Sequence, residues 1–221
     1  MEIKDMISKS IETHMAHGYK YRVYSEAPKK VIEEMKKEWK LPDNLELDPD
    51  EVFNSIGGFC SYKEEKKLPE YADDIIYIFV DCIKKSAEKF KEMIHMPVEQ
   101  LIEFCVIHEC RHSQQVMAIR EAGMNPDSVF QMESDLYSYG MGPMEVDANS
   151  YAMSIINGTP YEVDASYPLN IIHERSHRKQ SGCWREWERN IWNEFKLLLI
   201  SRVGLAYPFI FVIMWNLNDI L

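Results

Sequence analysis

Between Pro97 and Pro126 the chain carries the pattern that most restricts how it can fold. Leu101, Phe104, Cys105, His108, His112 and Ile119 recur at helical intervals on one broad face, with Pro97 opening the run and Gly123 and Pro126 closing it. Inside it, Val106-Ile107-His108-Glu109-Cys110-Arg111-His112 sets two imidazoles four residues apart, so they stack on the face that also carries the apolar residues. A helix whose histidines share its apolar stripe must turn them toward other elements rather than toward water.

The other elements are read around that helix. Ile3, Met6, Ile7, Ile11 and Met15 mark a first helix that stops at Gly18, and Tyr19 to Tyr24 suits a short strand. A second helix is predicted from Pro28 to Trp39, with Pro42 after its end. Gly58 to Tyr62 and Asp74 to Val80 read as an antiparallel pair joined by a polar loop, since the second run is rich in branched and aromatic residues. Helices follow near Ser86 to Ile94, from Val146 to Ile156 and from Trp184 to Ile200. The order describes an α+β chain, mostly helical, with the long helix packed on a small antiparallel sheet. At 221 residues it reads as a single domain, 1–221, with N-terminal helices over 1–50, a core over 51–160 and a helical extension with an apolar tail over 161–221.

Composition narrows the function. A formal charge of -11 argues against gripping phosphate backbones, which takes a basic face. Trp184-Arg185-Glu186-Trp187-Glu188-Arg189 then reads as an amphipathic helix with interleaved charges rather than a stacking platform for nucleic acid. The five cysteines lack CxxC spacing, and MEIKDMISKS has no apolar stretch of the signal-peptide kind, so a reducing cytoplasm is expected. The run from Val203 to Trp215 is apolar for 13 residues, short of the roughly 20 that span a bilayer, and contains Pro208. Packing in a core is its first reading, and a membrane or partner contact the second.

The chemistry lies in His108-Glu109-x-x-His112. Two imidazoles on one helical face reach one ion while Glu109 lies beside it; zinc at such a pair brings its bound water to a pKa of about 7, and a neighbouring carboxylate takes the proton as the water attacks a carbonyl. A catalytic zinc needs a third protein ligand and an open fourth position. Pro143-Met144-Glu145-Val146-Asp147-Ala148-Asn149 offers Glu145 as that ligand, on a second helix that a loop can bring across the first, and Asp147 as acceptor for the free N–H of a liganding imidazole. The plainer reading of both is acidic residues in a first helical turn.

HExxH followed by E-x-x-A-(D/N)-x-(F/Y)-A resembles the gluzincin-type zincins. The variant forms HECRHSQQ and PMEVDANSYA are similar to the small zincin-like proteins of bacteria, phages and mobile elements, among them the immunity-repressor proteases. The likeness covers His108 to Ala152 well and the preceding helix and strand pair more loosely; it does not extend to 1–50 or to the last 60 residues. It implies a zincin-like fold with one zinc per chain held by His108, His112 and Glu145, with Glu109 as base and a protein or peptide as substrate. Arg111 departs from the general pattern, whose intervening positions are usually uncharged; it points to solvent or binds a substrate carboxylate.

Zincins commonly hold an extended peptide along an edge strand, for which Gly58 to Tyr62 is the candidate. Tyr139, with Tyr137 beside it, is the candidate donor to a developing oxyanion. A non-catalytic zinc-containing regulatory or protein-binding module is the competing function, against which the presence of Glu109 argues, because a structural zinc needs no base. A second HExxH, Ile172-His173-Glu174-Arg175-Ser176-His177, lacks a long apolar face before it and meets Ser181-Gly182 soon after. Its histidines are expected near the surface, outside the tight zinc site.

Overall fold

The computed structural model describes residues 2–26, 57–61, 74–89, 96–137 and 141–180. The helices expected at Pro28 to Trp39 and Trp184 to Ile200, Tyr139 and the apolar run 203–215 lie outside the described residues. No helix among the described residues is long and apolar enough to cross a membrane.

The elements are α1 (Ile3–His14), β1 (Lys20–Tyr24), β2 (Gly58–Ser61), β3 (Ile75–Phe79), α2 (Val80–Lys89), α3 (Val98–Glu121), α4 (Pro126–Leu136), α5 (Pro143–Asn157) and α6 (Tyr167–Gln180). The fold is α+β and mostly helical, as expected. β2 and β3 pair antiparallel, Gly58 opposite Ile78 and Ser61 opposite Ile75. The sheet is nevertheless mixed, not antiparallel: β1 joins the other side of β3 in parallel register, Lys20 opposite Ile75 and Tyr24 opposite Phe79, giving the order β1-β3-β2. β3 is buried along its whole length, as its unbroken apolar run demands, because it is the central strand. Ile76 and Ile78 turn to the main core, while Tyr77 and Phe79 stack with Tyr24 of β1.

Several elements differ from the sequence reading: α5 opens at Pro143 rather than Val146, and α6 is a helix that reading did not place. α2 starts at Val80, straight out of β3, rather than near Ser86, so Cys82, Ile83 and Ser86 make its buried side. α4 was not expected at all. Asn125 caps it, accepting from the Ser128 backbone N–H at 3.2 Å, and Pro126 takes the first helical position. The same Pro126 that ends one helix thus begins the next.

α3 is the axis of the molecule. It packs on α1, α2, β2, β3 and most extensively α5, and from Val106 to Ser113 every residue is buried. It is therefore a central helix in these turns, buried beyond the single apolar stripe predicted, and Arg111, His112 and Ser113 all meet partners from it or from neighbouring elements, whereas His108 Nδ1 is buried without one. Cys110 joins Ile76, Ile78 and Met6 in the core. Ser113 Oγ accepts from the Ala16 N–H at 2.9 Å, and Gln114 Nε2 donates to the His14 carbonyl at 2.6 Å, so the open carbonyl end of α1 is tied to α3. Helix α5 ends at Gly158, whose φ of 64° is the left-handed closing conformation that glycine adopts without strain.

Candidate metal centre

His108 and His112 follow from the repeat of α3, which sets their Nε2 atoms 3.0 Å apart. Glu145 comes from the first turn of α5, crossing α3. Its carboxylate spans the pair, Oε1 at 3.3 Å from His112 Nε2 and Oε2 at 3.5 Å from His108 Nε2. Ligand atoms of a tetrahedral ion at about 2.0–2.1 Å stand about 3.3 Å from one another, so these separations suit one small cation. Among the described residues this is the one group of three or more His, Cys, Asp or Glu side chains placed to hold a metal ion. The donor set of two imidazoles and a carboxylate fits zinc.

The electrostatics favour a positive charge at this point. Burial disfavours a charged His112, but the Glu145 carboxylate beside it prevails and pushes its pKa up to about 10. Burial likewise opposes ionisation of Glu145, and His112 and His108 overcome it, holding the carboxyl well below the usual range. The rings of Phe104 and Phe130, with centroids 6.1 Å from His108 and 6.3 Å from His112, wall the pair with apolar surface.

Glu109 is buried on the same helix, and burial raises its pKa, with His108 and His112 pulling the other way. Its Cγ lies against Gly58: a Cβ built there would meet Glu109 Cγ at 3.1 Å and the Tyr77 carbonyl oxygen at 2.7 Å. The glycine lets β2, which is an edge among the described strands, pass directly beside the HExxH carboxylate.

Asp147 is placed differently from the sequence reading. It does not accept from an imidazole; its carboxylate accepts from Arg111 Nε at 2.8 Å and Nη2 at 3.3 Å, from Gln115 Nε2 at 2.6 Å and from the Tyr161 hydroxyl. The residue that touches His112 is Gln115, whose Oε1 lies 2.7 Å from His112 Nδ1. Asp147 acts one step further out, because Arg111 turns inward from α3 and claims it. Arg111 is only 4% exposed, settling its two sequence readings in favour of neither, and it also donates to the Val163 carbonyl at 2.9 Å and sits over the Tyr151 ring at 4.7 Å. The signal for Gln115 was available: it lies three residues after His112, one turn along the same face.

Glu133 of α4 is a second residue that the sequence reading missed. Its Oε1 accepts from the Met144 N–H at 2.7 Å and so caps the start of α5, the turn that presents Glu145. Gly142 makes room for it, since a Cβ there would collide with the Glu133 carboxyl. Burial, then the nearby Glu145, push Glu133 up to about 8. Tyr137 packs under the Arg175 guanidinium, 4.5 Å from its ring centre, with its hydroxyl buried and burial raising its pKa to about 12. His173 and His177 are exposed on α6, as expected.

No protein-family model, no curated protein and no solved structure matches the chain.

Proposed function

We propose that the chain is a zinc-dependent metallopeptidase of zincin type, with His108, His112 and Glu145 as ligands and Glu109 as general base. The observation that carries this reading is the convergence of three donors from two helices beside a buried carboxylate of raised pKa. When bound there, zinc supplies Lewis acidity and a water acidified to a pKa of about 7. Glu109 accepts the proton at its carboxylate, and burial makes it a stronger base than an exposed glutamate. Phe104 and Phe130 keep bulk water from the imidazoles, and β2 offers backbone groups at Gly58 along which an extended peptide can lie. A protein substrate in a reducing cytoplasm suits the acidic chain and the reduced thiols of Cys60, Cys105 and Cys110.

The test is metal analysis of purified protein together with peptide-library cleavage by native chain and Glu109→Gln. One zinc per chain in both, with cleavage by the native chain alone, is expected, because the amide packs like the acid and accepts no proton. Native-like turnover by Glu109→Gln removes the mechanism. One zinc without any cleavage by native protein favours the non-catalytic regulatory module.

A further inference from the structure

A second pair of imidazoles stands apart from this centre. His173 and His177 lie on the exposed side of α6 with Nε2 atoms 3.2 Å apart and ring centroids at 4.4 Å. The buried pair on α3 has the corresponding values 3.0 Å and 4.6 Å. Only the surroundings differ. Leu169 and Ile172 turn inward to pack with Val129, Leu136 and Met144, which leaves the two histidines facing outward. Glu174, in the place that Glu109 takes in the first motif, is paired with Arg178.

We infer that His173 and His177 form an exposed two-imidazole chelate for a divalent cation of the borderline class, Cu2+, Ni2+ or Zn2+, independent of the buried centre. Their Nε2 separation matches the roughly 3.3 Å between neighbouring ligands of an ion held at about 2.0–2.1 Å. Both rings ride on one helical turn, so once the first nitrogen binds, the second closes intramolecularly and gains from its high effective concentration. Neutral imidazole suits these metals, with Cu2+ highest in the series, whereas Ca2+ and Mg2+ require oxygen ligands. With two protein donors and Glu174 engaged elsewhere, the ion exchanges readily and no reaction is assigned to it. A single tightly held zinc per chain is compatible with this site.

The probe is Cu2+ on an iminodiacetate resin, which reaches surface imidazoles and not those walled in by Phe104 and Phe130. Untagged native protein is expected to be retained. His173→Ala and His177→Ala are each expected to weaken binding to the resin on the order of 100-fold, because the one remaining imidazole has lost chelation, and the double variant is expected to elute with them or just ahead. His17→Ala, which removes an exposed histidine of α1's trailing turn, is expected to elute with native protein. The variant His177→Ala/Arg178→His keeps the histidine count but moves the second ring off the face, and is expected to elute with the single variants. Half-sized losses from each single variant, or retention of the shifted pair, would mean independent imidazoles and overturn the chelate. Zinc content measured in parallel stays native in all these variants, so failure here is separate from any failure of the buried centre.

Discussion

His112 Nδ1 faces Gln115 Oε1 at 2.7 Å, and the amide nitrogen of Gln115 lies 2.9 Å from the Met144 carbonyl and 2.6 Å from Asp147 Oδ2. Two acceptors at the nitrogen end leave only the oxygen to meet the imidazole, so Nδ1 always carries a proton; when His112 gives up its second proton to the metal, the lone pair is freed at Nε2, on the side of His108 and Glu145. Gln115 therefore sets the tautomer that a ligand requires. Gln115→Leu is expected to lower zinc affinity about 10- to 100-fold, the usual worth of such a partner, whereas Glu145→Ala loses a ligand and falls further. Competition with a chromophoric chelator measures both; equal affinities for Gln115→Leu and native protein would remove the role.

Asp147 matters for stability before it matters for metal. Its loss leaves the Arg111 charge buried without its carboxylate, and breaking a buried pair on one side costs about 3–5 kcal/mol. Asp147→Ala is expected to show that loss in urea unfolding of the metal-free protein, and Arg111→Met/Asp147→Leu to recover much of it. A double variant as unstable as Asp147→Ala would show that the pair is not the source.

Gly58→Ala tests the close approach of β2 to Glu109. The added Cβ meets the Tyr77 carbonyl at 2.7 Å, and this backbone contact cannot be relieved by a side-chain rotation. The strand must shift, at a cost of about 1–3 kcal/mol typical of overpacking. Peptide cleavage is expected to fall more than zinc content, since the displaced strand borders Glu109 and not the ligands. Native cleavage and stability in Gly58→Ala would contradict the geometry.

Glu133 makes the metal-free protein sensitive to pH. Its folded pKa of about 8 lies above the unfolded value near 4.5, so the folded state binds the proton more tightly. That contribution to stability is fully present below about pH 4.5 and is lost as pH rises through about 8. Glu133→Gln keeps an oxygen for the Met144 N–H and has nothing to titrate. Denaturant unfolding at pH 5 and pH 9 is expected to show a smaller loss for the variant than for native protein. Identical losses would mean that Glu133 does not carry it.

The local half of the site was legible in the sequence, because the spacing i, i+4 on a helix places two imidazoles together wherever the helix lies. Both HExxH copies show it, at 3.0 Å and 3.2 Å. The strand pair was legible from β-branched runs, and Glu145 was named from its position at the start of a second helix. Parallel pairing of β1 and the inward turn of Arg111 were not, since each depends on a partner distant in sequence; the helix opened by Pro126 had a local signal in Asn125-Pro126, but that proline was read only as the end of the helix before it. The sequence separated the two motifs by the apolar face that precedes only the first, and tertiary packing carries that difference out. α3 is enclosed by α1, the sheet and α5, which removes water from His108 and His112 and delivers a carboxylate between them. α6 buries Leu169 and Ile172 and leaves His173 and His177 in solvent. The residue types able to hold a metal are set by sequence, but the desolvation and the third donor that complete the group come from surfaces that meet only on folding.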